Sequence, residues 1–219
     1  MNAPGSPGLA DITLLYQDDT LLVLNKPSGL LSVPGRGADK QDCLSARVQA
    51  QFADALVVHR LDMATSGLLM MGRGADAQRA INHAFSQGLV DKRYVAIVAG
   101  LLEADGIWRT IDLPIAVDWP RRPLRIIQVD GKASQTRWRC IAQDPLRQSS
   151  RVELEPLTGR SHQLRLHMQA IGHPILGDAL YAPAHIQTMG PRLLLHACAL
   201  SLVHPHTGTP MRWECSADF

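Results

Sequence analysis

One carboxylate stands beside a forked cation in the stretch His59-Arg60-Leu61-Asp62-Met63-Ala64-Thr65-Ser66-Gly67. Apolar runs enclose it, Ala55 to Val58 before and Leu68 to Met71 after, and both read as strands packed into a core. An acid held between buried elements has two uses. Asp62 or Thr65 can cap a turn by accepting backbone N–H groups, or Asp62 can serve chemistry as a nucleophile or general base. Further along, Arg160 and Arg165 bracket Ser161-His162-Gln163-Leu164. They are either the solvated basic face of a helix or fixed cations for an anionic site. Tyr94 lies between Lys92-Arg93 and the apolar Val95-Ala96-Ile97-Val98, a place where a ring is buried and its hydroxyl stays near a cleft, although a strand tyrosine is usually core.

The elements that must position these residues are short. Ile12 to Tyr16 and Leu21 to Leu24, separated by Gln17-Asp18-Asp19-Thr20, read as a hairpin, which Asn25-Lys26-Pro27-Ser28-Gly29 then ends. Leu44, Val48 and Phe52 recur at helical spacing behind an acidic cap at Asp42, and Ala77, Ala80, Ile81 and Phe85 repeat the form after Asp76. Tyr94 to Leu102, Thr136 to Ala142, Arg151 to Pro156 and Leu193 to Val203 read as strands, and Ser161 to Ile171 as a short helix with an apolar face. Prolines 114, 120, 123 and 145 punctuate the middle third. Many strands and few helices predict an α+β fold with a mixed, mostly antiparallel central sheet flanked by helices and loops.

A chain of 219 residues, 46% hydrophobic and 19% charged, suits one soluble globular domain, and no apolar run is long enough to span a bilayer. Residues 1–10 have neither a basic n-region nor an apolar h-region, so they read as a flexible tail ahead of a catalytic domain over 11–219, and the expected location is the cytoplasm. Cys43, Cys140, Cys198 and Cys215 are scattered, which argues against a zinc ribbon or a disulfide scaffold. The net charge of +2 is too mild to declare a nucleic-acid binder. Of 22 basic residues only four are lysines, Lys26, Lys40, Lys92 and Lys132, leaving 18 arginines. Codon usage explains most of that bias, but Arg60, Arg93, Arg121, Arg122, Arg125, Arg160 and Arg165 fall in or near the blocks that could form a site, where they could meet phosphate groups. His162 and His167 are five apart, the wrong spacing for a helical zinc pair, so no metal is expected. Gly72-Arg73-Gly74 lacks the Lys-Ser/Thr ending of a phosphate loop, so no nucleotide cofactor is expected either.

Taken as it stands, the segment from His59 to Gly67 resembles the HRLDxxTSG signature of the RluA-type pseudouridine synthases. Four other blocks resemble that family in the same order: Asn25 to Leu30, Lys92 to Ala96, Thr158 to His167 and Arg192 to Ala197. The resemblance implies a long central sheet, no cofactor, and Asp62 as the catalytic residue. It also implies Arg165 as the cation that keeps Asp62 charged and oriented, and Tyr94 as the tyrosine that stacks on the uracil or takes the C5 proton. More loosely, it implies Leu195 as the floor of the base pocket. A carboxylate in an apolar pocket needs such a cation, because desolvation alone would favour its neutral form. The reaction breaks the N1–C1′ bond of uridine, rotates the uracil and rejoins it through C5. Asp62 either attacks C1′ or draws a proton from C2′, and the residues do not choose between the two.

The target base must leave its stack, and Arg60, two residues before Asp62, could fill the vacated space and hold a phosphate; the alternative is a structural salt bridge. His59 and His196 read as structural groups near the cleft. With so few residues before Tyr16, the small RNA-binding domain of S4 type that many relatives carry is not expected, and a compact stem-loop is the expected substrate. By resemblance the targets are a loop uridine of 23S rRNA and a uridine just 5′ of the anticodon in some tRNAs, handled by a monomer. Two other classes compete. One is a non-catalytic RNA-binding or ribosome-assembly protein on the same fold. The other is a nucleoside hydrolase, which needs a second acid; Asp18, Asp19 and Asp178 are candidates, all in turn-like contexts.

Overall fold

The structure is a computed structural model that describes residues 12–219; the tail expected over residues 1–10 lies outside them. The chain forms two compact units. The first comprises the described residues up to Asp91 with Ala199–Ser216, and the second comprises Lys92–Cys198 with Ala217–Phe219.

In the first unit, β1 (Thr13–Gln17) and β2 (Leu21–Lys26) form the expected hairpin, closed by Asp18. Its carboxylate accepts the N–H groups of Thr20 and Leu21 at 2.7 and 2.8 Å, the Tyr16 hydroxyl at 2.7 Å, and His204 Nε2 at 3.0 Å. Partial burial pushes this carboxyl up, yet the hydrogen bonds from Tyr16, Leu21, Thr20 and His204 together hold it below the ordinary value. β2 is buried along nearly its whole length and pairs antiparallel with β4 (Ser66–Arg73), which also receives β3 (Ala55–Val57). Ala199 to Val203, the second half of β11 (Leu195–Val203), adds the next strand, and β12 (Pro210–Glu214) pairs with it. α1 (Leu44–Gln49) and α2 (Gly74–Ser86) accompany these strands. The cap of α1 is Cys43, whose Sγ accepts the Ala46 N–H, and not Asp42. Asp42 is instead gripped by Arg47 at 2.7 Å through two guanidinium nitrogens. Leu21, Val23, Val58, Leu68, Met70, Ile81, Leu200 and Leu202 make the core.

In the second unit the strand order is β11, β5 (Asp91–Ala99), β10 (Ser149–Pro156), β9 (Gln135–Asp144) and β6 (Arg109–Asp112). The β5, β10, β9 and β6 ladders are antiparallel. β10 alternates buried and half-buried residues, as a sheet with one wet face requires. A separate hairpin, β7 (Ile115–Val117) with β8 (Arg125–Ile127), rises from the proline-punctuated segment. α3 (Gln163–Ala170) and the single turn α4 (Ala184–Gln187) complete the unit, with Ala99, Leu176, Ala182, Ile186 and Leu194 forming a core cluster. The α+β class with its mostly antiparallel sheet is therefore what the chain adopts, while β6, β7, β8 and β12 had no counterpart among the expected strands.

Candidate active site

Asp62 sits in the irregular loop 58–65 between β3 and β4, half-buried. A loop of this kind leaves backbone groups without ladder partners, and buried ones must be satisfied elsewhere. The segment that follows β2 satisfies them. Lys26 is fully buried, and its ammonium donates to the carbonyls of Pro27 at 2.8 Å, Leu30 at 2.7 Å and Met63 at 3.1 Å. The Ser28 hydroxyl donates to Ala64 O at 2.7 Å, and the Gly29 N–H donates to Met63 O at 2.8 Å. Ser32 bonds Leu61 both ways, its hydroxyl donating to the carbonyl at 2.7 Å and accepting the N–H at 3.1 Å. Both residues next to Asp62 in sequence are thus pinned through their main chains. Gly29 has φ 87°, the left-handed region that a side chain resists, which lets the 26–32 segment turn back on this loop.

On the other side of the loop, His59 Nε2 accepts the Met70 N–H at 2.9 Å, and its ring stacks on Phe85 with centroids 4.7 Å apart. Because Nε2 accepts, it carries no proton in this arrangement. Arg60 is exposed and forms no ion pair among the described residues. The structural salt bridge weighed as its alternative role is therefore absent there.

The second unit holds Tyr94, Arg160, Arg165 and Leu195. Tyr94 is half-buried on β5 opposite Leu154, and Leu195 opens β11 buried at 3% exposure. Arg165 is on α3 and is not part of a solvated face: its side chain is 4% exposed. Its Nε donates to Asp178 Oδ2 at 2.8 Å and its Nη2 to Oδ1 at 2.6 Å, a bidentate pair with a carboxylate that is itself fully buried. Asp178 also accepts the N–H groups of Leu180 and Tyr181, at 2.9 and 3.2 Å. The Tyr181 ring lies 5.3 Å from the Arg165 guanidinium carbon, and its hydroxyl bonds His162 Nδ1 at 2.7 Å.

Further side chains fasten α3 at its start. Gln163 Nε2 donates to Gln135 O and to Thr136 Oγ1, while its Oε1 accepts the Thr158 hydroxyl and the Arg160 N–H. His167 is fully buried between Thr136 Oγ1 at 2.9 Å and Leu113 O at 3.0 Å, and burial lowers its pKa below the ordinary histidine value. The carbonyl of Leu113 can only accept, so Nε2 carries the proton and Nδ1 accepts from the threonine. Arg160 itself is exposed, with Nε 3.3 Å from Ala133 O.

A model of the RNA pseudouridylate synthase family matches residues 20–170. The chain belongs to that family. It is 48% identical to the dual-specificity RNA pseudouridine synthase RluA of Yersinia pestis over 94% of its length and 99% of that protein. The corresponding Escherichia coli K12 protein is 45% identical, with 100% of this chain and 97% of that one covered. A solved structure of human RNA pseudouridylate synthase domain containing 1 superposes with a TM-score of 0.79 at 27% identity, covering 100% of this chain and 87% of that one. The chain is thus an RNA pseudouridine synthase, and the readings as a non-catalytic RNA binder or a nucleoside hydrolase give way to it. Two of the three acids a hydrolase might have used have other employment, Asp18 in its turn and Asp178 on Arg165.

Sequence reasoning found Asp62 and Arg165 as site candidates but missed the groups that hold them. Lys26 and Ser28 lie in a block that ends a strand and resembles the family, and Ser32 follows it, but nothing in their types or spacing marks the carbonyls they meet. Asp178 and Tyr181 lie beyond the matched family segment, in a turn with no periodic signal. The one available clue was that Asp178 stands as a lone charge among the apolar residues of Pro174-Ile175-Leu176-Gly177-Asp178-Ala179-Leu180.

Proposed function

We infer that this synthase isomerises a flipped-out uridine in a structured RNA with Asp62 as its catalytic carboxylate, Arg165 as the fixed cation of the site and Tyr94 as the ring against the uracil. The N1–C1′ bond breaks, the uracil turns, C5 bonds to C1′, and the C5 proton departs while N1 gains one, so the product is an isomer of the substrate. Asp62 needs only to be ionised and held still, whether it attacks C1′ or takes the C2′ proton. The observation that carries this reading is the fastening of both neighbours of Asp62 by Lys26, Gly29 and Ser32, which supports a carboxylate kept in one position. Arg60, exposed two residues away, replaces the extruded base in the stack and meets a phosphate, and Arg160 adds a second phosphate contact. Leu195 gives the base an apolar floor, and His59 keeps the loop's orientation.

Likeness to proteins named for dual specificity supports two RNA substrates, for which we put forward a loop uridine of 23S rRNA and a uridine of the tRNA anticodon stem-loop. The enzyme acts as a cytoplasmic monomer. The test is tritium release from RNA carrying 5-tritiated uridine, offered as an anticodon stem-loop and as total rRNA. Wild type is expected to release label from both and Asp62→Asn from neither. Release by Asp62→Asn at the wild-type rate removes Asp62 from the chemistry, and release from one RNA alone reduces the substrate range to that RNA.

A further inference from the structure

The hairpin β7–β8 ends in a tip, residues 118–124, whose construction exceeds what a connection requires. Asp118, buried at 5% exposure, closes it: its N–H donates to Leu124 O at 3.1 Å, and its carboxylate accepts the Arg121 N–H at 3.3 Å and Arg121 Nε at 2.7 Å. The Leu124 N–H returns to Arg121 O at 3.0 Å. On this braced tip Trp119 is 68% exposed, and the Arg122 guanidinium carbon stands 3.6 Å from the centre of its ring. Among the described residues Arg122 has no carboxylate partner, and residues 119–125 contain no acid. A single exposed apolar side chain is ordinary on a surface. An indole covered by an unpaired guanidinium on a rigid support is instead a π-face and a phosphate-directed charge in one place.

We propose that Trp119 and Arg122 form a stacking platform for an unpaired nucleotide of the RNA substrate, the indole taking a base and the guanidinium taking its phosphate. This deepens the synthase reading and rests on it for the identity of the polyanion. The stem of the hairpin is bound to the surroundings of Arg165. The Arg125 N–H, one residue beyond the tip, donates to the Tyr181 hydroxyl at 2.9 Å, and the Tyr181 ring packs on Arg165. A nucleotide held at the tip is thereby held relative to a residue of the site. Stacking is tolerant of base identity, so the platform selects unpaired against paired RNA and not one sequence against another.

The experiment measures equilibrium binding of a fluorescein-labelled RNA stem-loop, and of the same stem closed into a full duplex, to wild type, Trp119→Ala, Trp119→Phe and Arg122→Ala. Thermal melts verify that each variant folds. Trp119→Ala is expected to weaken stem-loop binding about 5- to 150-fold, with Trp119→Phe close to wild type and duplex binding unchanged. Arg122→Ala is expected to weaken stem-loop binding and to lower the salt slope by about one. Saturating stem-loop should restore the rate of tritium release by Trp119→Ala, because the platform binds and does not react. Wild-type stem-loop affinity in Trp119→Ala overturns the proposal, as does equal weakening on the duplex. Because binding is read without turnover, a wild type that binds through Trp119 but releases no label sinks the proposed reaction on that stem-loop and leaves the platform standing.

Discussion

Arg165 and Asp178 meet as fork and carboxylate in a place almost without water, at 2.8 and 2.6 Å and with 4% and 0% of their side chains exposed. Removing one member of such a pair leaves the other charge buried without its counterpart, which costs about 3–5 kcal/mol. Asp178→Asn keeps the shape and deletes the charge, so it should lower unfolding stability by roughly that amount in a urea titration. Arg165→Met removes the cation the synthase reading needs, and RNA binding should persist while turnover is abolished. Equal losses of binding and turnover would reduce Arg165 to a phosphate contact. The double variant Arg165→Met with Asp178→Leu should recover stability relative to Asp178→Asn but not activity.

Gly177, beside Asp178, fixes where that carboxylate stands. It has φ 74°, and a Cβ built on it would lie 1.8 Å from the carbonyl oxygen of Arg192. No rotamer relieves a clash with main chain. Gly177→Ala must therefore separate the 175–178 and 192–194 segments, which share the Leu194 N–H to Leu176 O bond at 3.0 Å. Its expected cost is at least about 3 kcal/mol, since strain at a left-handed position and overpacking add. An unchanged urea midpoint would mean that the two segments part easily.

Lys26 offers a test of how much the loop around Asp62 owes to side chains from β2 onward. Its ammonium serves three carbonyls. Lys26→Met matches its length and leaves those acceptors empty, at an expected cost of about 2–4 kcal/mol, because each lost bond involves a charge and a buried partner. Tritium release at a temperature where the variant is still folded should fall further than its folded fraction does. Activity that merely tracks the folded fraction would make Lys26 a stabiliser of the fold and nothing more for Asp62.

Much of the frame could be read from the chain because period and punctuation agreed. β1, β2, β9 and β10 were expected from their apolar residues, and α2 from Ala77, Ala80, Ile81 and Phe85. β7, between Pro114 and Pro120, and β8, soon after Pro123, have three residues each, too few for a period to emerge, and β12 begins at Pro210 with no buried residue along it. The candidate site was marked at Asp62 through the resemblance alone, and the groups that hold its loop were opaque. A lysine or serine that donates to main-chain carbonyls leaves no mark on its partners, since any residue supplies a carbonyl. The same blindness applied to α3: its buried face was expected to be apolar, yet Gln163, Arg165 and His167 lie on it, each satisfied by groups distant in sequence.

His167 makes that buried polar face responsive to pH. Burial lowers its pKa in the folded protein, opposed only in part by its bond to Leu113 O, while the unfolded chain keeps the ordinary value near 6.5. Below about pH 6.5 the unfolded state therefore binds the proton first, and stability falls as the pH drops from there toward the folded pKa. The charged form also loses the Thr136 hydroxyl as a donor to Nδ1. Melting temperatures recorded from pH 7.5 to 5.5 should decline for wild type and decline less for His167→Gln, whose amide can still donate to Leu113 O but does not titrate. The carboxylates of Asp18, Asp42 and Asp105 act at lower pH because their folded pKa lies below the usual carboxylate value, and the remaining histidines are common to both proteins. The difference between the two curves above pH 5.5 consequently belongs to His167, and parallel curves would show that its ring is protonated as readily in the fold as outside it.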